Sequence, residues 1–114
     1  MRVIFCGSRN WLNLYKIKER MRLLPEDTII ISGHCKGADM ESEWAAKDLG
    51  YTCEVYPANW REYGRAAGVL RNQQMLDTGV DLVIAFHPDI SKSKGTLDMI
   101  TRAAKAGVNV ELID

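Results

Sequence analysis

The sequence has no excess of charge of either sign. Its 114 residues include fifteen lysines and arginines and fifteen aspartates and glutamates, so the formal net charge is zero. Proteins that bind DNA or acidic membrane surfaces usually draw on a positive field. The neutral balance therefore argues against nucleic acid and membrane partners, although it leaves room for a local cationic patch.

Cysteine pairs and metal-ligand patterns are absent as well. The sequence has an odd number of cysteines and no C-x-x-C pair; the three are Cys6, Cys35 and Cys53. The two histidines do not have the spacing of metal ligands. Such a pattern indicates reduced thiols rather than disulfides or a zinc site. We expect no metal and no cofactor.

Long apolar runs are missing too. No stretch approaches the roughly 18 apolar residues of a membrane span, and the apolar run after Arg2 is too short for the central region of a signal peptide. The chain has 46% hydrophobic and 26% charged residues, which is ordinary for a globular protein, and its length suits one hydrophobic core. We expect a single cytoplasmic domain over residues 1–114.

Short apolar runs alternate with segments of helical pattern. This arrangement is typical of a parallel sheet that is buried on both faces. It predicts an α/β fold, a single Rossmann-like domain with about five mainly parallel strands and helices on both faces. The strands are expected near residues 3–6, 28–32, 52–56, 82–86 and 108–112, and the helices within 12–24, 38–50, 66–77 and 96–106.

The strand order determines where a ligand would bind. A short Rossmann-like chain favours the order 3-2-1-4-5, in which the crevice for a ligand lies between the first and fourth strands at their carboxyl ends. The loops there are "GSRNW" at 7–11 and "HPDISKSKGT" at 87–96, with "GHCKGAD" at 33–39 beside them. We expect these three loops to converge on one edge of the sheet.

The first of these loops has the composition of a phosphate site. Gly7 permits a sharp turn and close approach of the backbone, Ser8 adds a hydroxyl, and Arg9 adds a bidentate donor. The G-x-G-x-x-G fingerprint is absent, which argues against an ordinary NAD dehydrogenase. The structural alternative is a glycine turn followed by a solvated arginine.

The second loop also has features of an anion site. Gly33 and Gly37 flank Lys36 ahead of a predicted helix, whose free N–H groups favour anions. The P-loop pattern is not matched, so ATP hydrolysis of that type is not expected. His34 is either a base or an ordinary hydrogen-bonding residue, and Asp39 either caps its helix or contacts a ribose.

The segment 56–75 is the least ordinary part of the chain. Trp60 and Tyr63 lie among small residues, where they would stack on a base, contact a partner chain or close the edge of the core. On helical spacing Arg71 falls away from the apolar residues of its helix. Solvation, a subunit interface or a ligand would then account for it.

Several segments together resemble a known family. The resemblance is to the YspA/YpsA-related branch of the SLOG superfamily, which also includes the LOG phosphoribohydrolases and the DNA-binding DprA proteins. It implies a Rossmann-like fold that binds a nucleotide-like small molecule, and a homodimer or higher homo-oligomer. The segments that carry it are "VIFCGSRNW", "SGHCKGADMESEWAAKDLG", "YPANW", "YGRAAGVLRNQQM" and "KGTLDMI".

The LOG pattern is matched only in part. LOG enzymes carry R-K-x-x-M with a catalytic arginine and P-G-G-x-G-T-x-x-E with a catalytic glutamate. This chain has Arg71 at the arginine, but Met99 at the glutamate, with Asp98 next to it. Methionine provides no general acid–base help, which is typically worth about 10²–10⁴-fold in rate. If the chain is an enzyme, Arg71 and Asp98 are its expected catalytic residues.

The resemblance and the loop chemistry together define a set of expected ligand-binding residues. A phosphate would lie against the glycines and hydroxyls of the loops that follow the first and fourth predicted strands. Arg9 and Arg71 would bind it through their positive charges. The full set is Gly7, Ser8, Arg9, Trp11, Gly33, Lys36, Gly37, Asp39, Trp60, Arg71, Asn72, Ser93, Gly95 and Thr96.

Three functions remain open at this point. The first is binding of a nucleotide or an NAD- or ADP-ribose-derived ligand, for sensing or for sequestration, as a phage-encoded sponge in its host would do. The second is a LOG-like phosphoribohydrolase or N-glycosidase, with Asp98, Asp39 or Glu62 as the carboxylate. The third is DprA-like binding of single-stranded DNA, with Trp11, Trp60 and Tyr63 stacking on bases.

Overall fold

The structure, a computed structural model, describes residues 1–114 and contains one five-stranded sheet. The strand order is β3-β2-β1-β4-β5, and every neighbouring pair is parallel. The predicted Rossmann-like α/β fold and strand order are therefore confirmed. The strands are β1 (Arg2–Gly7), β2 (Ile29–Ser32), β3 (Thr52–Val55), β4 (Leu82–Phe86) and β5 (Asn109–Ile113).

Five helices connect the strands. They are α1 (Leu14–Met21), α2 (Ala38–Leu49), α3 (Trp60–Tyr63), α4 (Ala67–Asp77) and α5 (Gly95–Lys105), with short 3₁₀ turns at Gly64–Ala66 and Ile90–Lys92. The short helix α3 was not predicted. None of the helices combines the length and the apolar character that crossing a membrane requires.

Side chains accept backbone hydrogen bonds at the starts of two helices. The helix α1 starts at Leu14 because the Asn13 side chain accepts a hydrogen bond from the Lys16 N–H. At the start of α5, the Ser93 hydroxyl accepts a hydrogen bond from the Thr96 N–H over 3.0 Å. Ser93, which we predicted as a ligand residue, thus has a structural task at the amino end of α5.

Both faces of the sheet are covered. Alternate residues of β1 point to opposite faces, so Phe5 joins the core under α1 and α2, whereas Ile4 and Cys6 join the core under α4 and α5. Met99 of α5 belongs to this second core and is only 1% exposed. The sheet is thus buried as the continuous apolar runs predict.

Two glycines hold the loops of the carboxyl edge close together. A Cβ at Gly7 would lie 2.1 Å from the Phe86 carbonyl oxygen, so β1 and β4 meet there without room for a side chain. Gly37 has a φ of 89°, and its Cβ would lie 2.3 Å from the Ser8 carbonyl oxygen. The same carbonyl accepts the Ala38 N–H over 3.0 Å. The first two loops therefore interlock through the backbone.

We expect Gly37→Ala to destabilise the fold more than Gly79→Ala. Both glycines have a left-handed backbone, with φ values of 89° and 87°, but a Cβ at Gly79 would meet nothing within 4 Å. The left-handed conformation costs an L-residue about 1–2 kcal/mol at either site, and the clash with Ser8 should add about 1–3 kcal/mol at Gly37. Urea denaturation measures both losses. Equal losses would contradict the interlock.

Candidate functional site

The carboxyl edge of the sheet brings together most of the predicted ligand residues. All strands are parallel, so the loops after β1, β2, β3 and β4 lie at this one edge. Two open pockets flank the β1 loop. We call the one between the β1 and β2 loops the loop-2 pocket, which is about 540 Å³ in volume and is lined by Arg9, His34, Cys35, Lys36 and Trp60.

The second pocket, here the crevice pocket, lies between the β1 and β4 loops, where the reversal of strand order predicts a ligand site. Its volume is about 630 Å³. Ser8 and Trp11, two of the residues predicted to bind a ligand, line it. The sequence analysis did not name the other lining residues as ligand-binding, because their position just after β1 and β4 was the only signal. These residues are Asn10, Leu12, Asn13, His87, Pro88, Asp89 and Lys92.

Trp11 does not offer a face for stacking. Its side chain is 8% exposed, and its ring packs on Phe86 with 5.5 Å between the ring centroids. The indole N–H donates to the Asn13 carbonyl oxygen over 2.9 Å. The ring belongs to the hydrophobic core, so the expectation that Trp11 stacks on a base is corrected.

Trp60, which lines the loop-2 pocket, and Tyr63, on the same short helix α3, differ from Trp11. Each side chain is half exposed. The Trp60 ring edge lies over Gly68 of α4, where a Cβ would be 3.3 Å away. Stacking on a ligand and contact with a second chain both remain predictions for these two aromatic residues.

Arg71 is buried and has roles inside the chain, contrary to the sequence analysis. The side chain is 8% exposed; its Nε donates to Asn72 Oδ1, its Nη1 donates to the Gly33 carbonyl oxygen, and both Nη atoms lie 3.6 Å from Cys35 Sγ. Gly33 has no side chain to obstruct this, since its Cβ would lie 2.6 Å from Nη1. Removing Arg71 would thus also disturb the β2 loop.

The Arg71 charge has no carboxylate partner. It takes part in none of the six ion pairs of the chain. A buried cation without a paired anion is costly, because burial removes its hydration. An anion bound at this edge would compensate for that loss.

Asn72 links α4 to the start of α5. Its Nδ2 donates to the Gly95 carbonyl oxygen over 3.2 Å and to Asp98 Oδ2 over 3.0 Å. Thr96 is buried beside this contact, whereas a Cβ on Gly95 would meet nothing within 4 Å. The first turn of α5 therefore has an open approach at Gly95.

None of the carboxylates proposed for catalysis is free at this loop. Asp98 accepts hydrogen bonds from Arg102 Nε, over 2.9 Å, and from Asn72. Glu62 accepts from Asn59 Nδ2 over 3.0 Å on the exposed helix α3. Met99, at the position of the LOG glutamate, points into the core. Asp98 and Glu62 are thus each engaged by side chains of the same chain.

Asp39 is buried and forms a hydrogen bond with the backbone of the β2 loop. Its side chain is 5% exposed, and Oδ2 accepts the Cys35 N–H over 3.3 Å. Burial raises the pKa of this carboxyl to about 6, against the opposing effects of the backbone hydrogen bond from Cys35 and the charge of Arg71. The buried carboxylate thus lies near Arg71 without forming an ion pair with it.

Glu43 is a residue that sequence reasoning missed. It lies one turn after Asp39 on α2, and its carboxylate accepts a hydrogen bond from Ser32 Oγ over 2.7 Å. The other oxygen lies 2.8 Å from His34 Nδ1. The helical spacing of Asp39 and Glu43 was the only available signal, because the contact with His34 forms across the β2 loop.

Comparisons with known proteins identify the family of the chain. The model of the YspA, cpYpsA-related SLOG family matches residues 1–63. The chain belongs to this family. It is also 31% identical over 118 residues to the Gene 61 protein of Mycobacterium phage D29, with 96% of this chain and 93% of that protein covered.

A solved structure supports the fold. DNA processing protein A (DprA) from Streptococcus pneumoniae superposes with a TM-score of 0.76 at 18% identity, covering 99% of this chain and 50% of that chain. The chain thus spans about half the length of that protein. At this identity the likeness concerns the fold, and it confirms the Rossmann-like architecture.

We expect Asp39→Asn to stabilise the protein at neutral pH. Because the folded-state pKa of Asp39 is raised to about 6 from 3.8, this group favours the folded state most at low pH, and that contribution is lost as the pH rises to about 6. The stability of the variant relative to wild type should grow by about 2 kcal/mol between pH 4 and pH 7. Urea denaturation across this range measures it. A difference that does not change with pH would contradict the buried carboxylate.

Proposed function

We propose that the chain binds a nucleotide or an NAD- or ADP-ribose-derived ligand at the carboxyl edge of the sheet, for sensing or sequestration. The observation that carries this proposal is the buried Arg71 guanidinium, which has no carboxylate partner and lies under the β2 loop. A phosphate near this edge would compensate the charge. Family membership supports a function related to nucleotides or nucleic acids.

The amino end of α5 supports a phosphate position. The first N–H groups of a helix favour anions, and α5 is eleven residues long. Gly95 leaves open space above the first turn, so a phosphate can approach the backbone closely. Thr96 adds a hydroxyl at this turn.

The same region supports binding without cleavage of the N-glycosidic bond. Met99 is in the core, and Asp98 is held by Arg102 and Asn72. General acid–base assistance requires a carboxylate within reach of the reacting atoms. A phosphoribohydrolase is therefore the less favoured function.

We expect Thr96→Val to weaken binding of AMP or ADP-ribose by about tenfold or more, since a hydrogen bond to a charged group is worth about 1.5–3 kcal/mol. Calorimetry measures the dissociation constants, with Thr101→Val as a matched control because Thr101 lies on the exposed part of α5 and donates to Leu97.

Gly95→Ala should also weaken binding of these nucleotides. The fold should tolerate this change, since a Cβ there would meet nothing within 4 Å.

Chromatography of the incubated ligand should show no released base. Unchanged affinity in both the Thr96 and the Gly95 variants would remove the α5 loop from the site. Multiple-turnover release of base that Asp98→Asn abolishes would establish the phosphoribohydrolase instead.

A second candidate function is binding of single-stranded nucleic acid, which the neutral net charge argued against. The charge is unevenly placed: the segments 8–13, 33–37, 56–66 and 87–94, which leave the carboxyl ends of strands, contain six basic and two acidic residues. The connections at the opposite edge, 22–28, 50–51, 78–81 and 106–108, contain one basic and three acidic residues. A local positive edge with half-exposed Trp60 and Tyr63 suits a phosphate backbone and stacked bases.

We expect weak binding of single-stranded DNA that falls steeply with salt, because phosphate contacts release counterions. The double variant Arg61→Gln, Arg65→Gln removes two charges beside the aromatic residues and should weaken this binding. Arg22→Gln, at the opposite edge, is the matched control and should not. Fluorescence anisotropy at two salt concentrations measures all three proteins. Absence of binding at low salt would eliminate this candidate.

A further inference from the structure

His34 has an unusual backbone conformation, and its ring contacts Glu43. Its backbone φ is 61°, and it is the only residue other than glycine with a positive φ. Such a conformation is uncommon for an L-residue and is often found at functional positions. The ring is anchored by the 2.8 Å contact between Nδ1 and Glu43 Oε1, and Glu43 is anchored in turn by Ser32. The imidazole is therefore held by a chain of hydrogen bonds.

The other side of the imidazole faces the loop-2 pocket. The His34 side chain is 45% exposed and lines this pocket, and Nε2 makes no hydrogen bond within the chain. Arg9 and Lys36 line the same pocket, and neither takes part in an ion pair. The pocket wall thus presents two free cations and one unused ring nitrogen.

The donor chemistry of imidazole limits what can bind there. With Nδ1–H donated to Glu43, a neutral ring has a lone pair at Nε2, which repels a phosphate oxygen. An imidazolium donates from both nitrogens, so it can serve Glu43 and a phosphate oxygen at once. A fully deprotonated phosphate oxygen at Nε2 therefore requires a proton on His34.

We propose that the loop-2 pocket is a second anion subsite, which binds a phosphomonoester dianion through Arg9, Lys36 and protonated His34, and that binding there takes up a proton. This inference rests on the proposed binding of a phosphorylated ligand and narrows its class. Three positive groups favour a terminal phosphate with two negative charges over a phosphodiester with one. Trp60, at the same pocket, is positioned to contact the base or sugar that carries the phosphate.

Other titratable groups surround His34 and must be separated from it. Burial raises the pKa of Cys53 to about 11, well above neutral pH, whereas Asp39 titrates near 6. The charged and titratable groups near the β2 loop, by element, are Arg9 on the β1 loop, Cys35 and Lys36 on the β2 loop, Asp39 and Glu43 on α2, Cys53 on β3 and Arg71 on α4.

The test compares the binding of AMP and of cyclic 3′,5′-AMP. The two nucleotides share base and sugar but differ in the charge of the phosphate. Binding of inorganic phosphate shows whether the nucleoside is needed. Calorimetry at pH 7.5, where a phosphomonoester is the dianion, is run in two buffers of different ionisation enthalpy to count protons. Wild type should bind AMP at least tenfold tighter than the cyclic diester and take up a proton. His34→Asn tolerates the left-handed backbone; it should abolish the proton uptake and reduce the preference for AMP, because Arg9 and Lys36 remain.

Glu43→Gln keeps the shape of the anchor but removes its charge, and it should reduce the proton uptake and the preference for AMP. Equal affinity for both nucleotides without proton uptake would overturn this inference and leave the proposed nucleotide binding intact. Proton uptake that persists in His34→Asn but disappears in Asp39→Asn would assign the proton to Asp39 and also overturn it. If no nucleotide binds at all, both proposals fail.

Discussion

All five strands run in the same direction, and the arrangement of the site depends on this constraint. Parallel strands place every carboxyl end at one edge, so four loops from distant parts of the sequence meet there. The close approaches at Gly7 and Gly37 leave little freedom in how these loops lie. The same constraint separates charge, since the basic connections leave one edge and the acidic connections leave the other. A chain with no net charge thereby acquires a positive edge.

The edge also contains groups that are not optimal for stability. Arg71 is buried without a carboxylate partner, Asp39 is buried with a raised pKa, and His34 has a left-handed backbone. Each of these costs free energy in the empty protein, by loss of hydration or by backbone strain. These groups are concentrated around the β2 loop, and under the proposed function a bound anion would compensate the charge of Arg71.

The proposed binding without cleavage rests on the contacts at the first turn of α5. Methionine stands at the position of the LOG glutamate, and its side chain contributes to the core under α5 instead of facing the loop. The neighbouring Asp98 carboxylate is neutralised by Arg102 and bonded to Asn72.

The architecture could be predicted from the sequence, because apolar runs of strand length, helical periodicity and glycine positions are local signals. The loops that meet could be predicted as well, since strand order and direction follow from few alternatives in a short α/β chain. The contacts of individual side chains at this edge depend on the folded chain. Trp11 is buried by Phe86, Arg71 by the β2 loop, and Glu43 meets His34 across that loop. These contacts join residues that are not related by the periodicity of a helix or a strand, so no local sequence pattern predicts them.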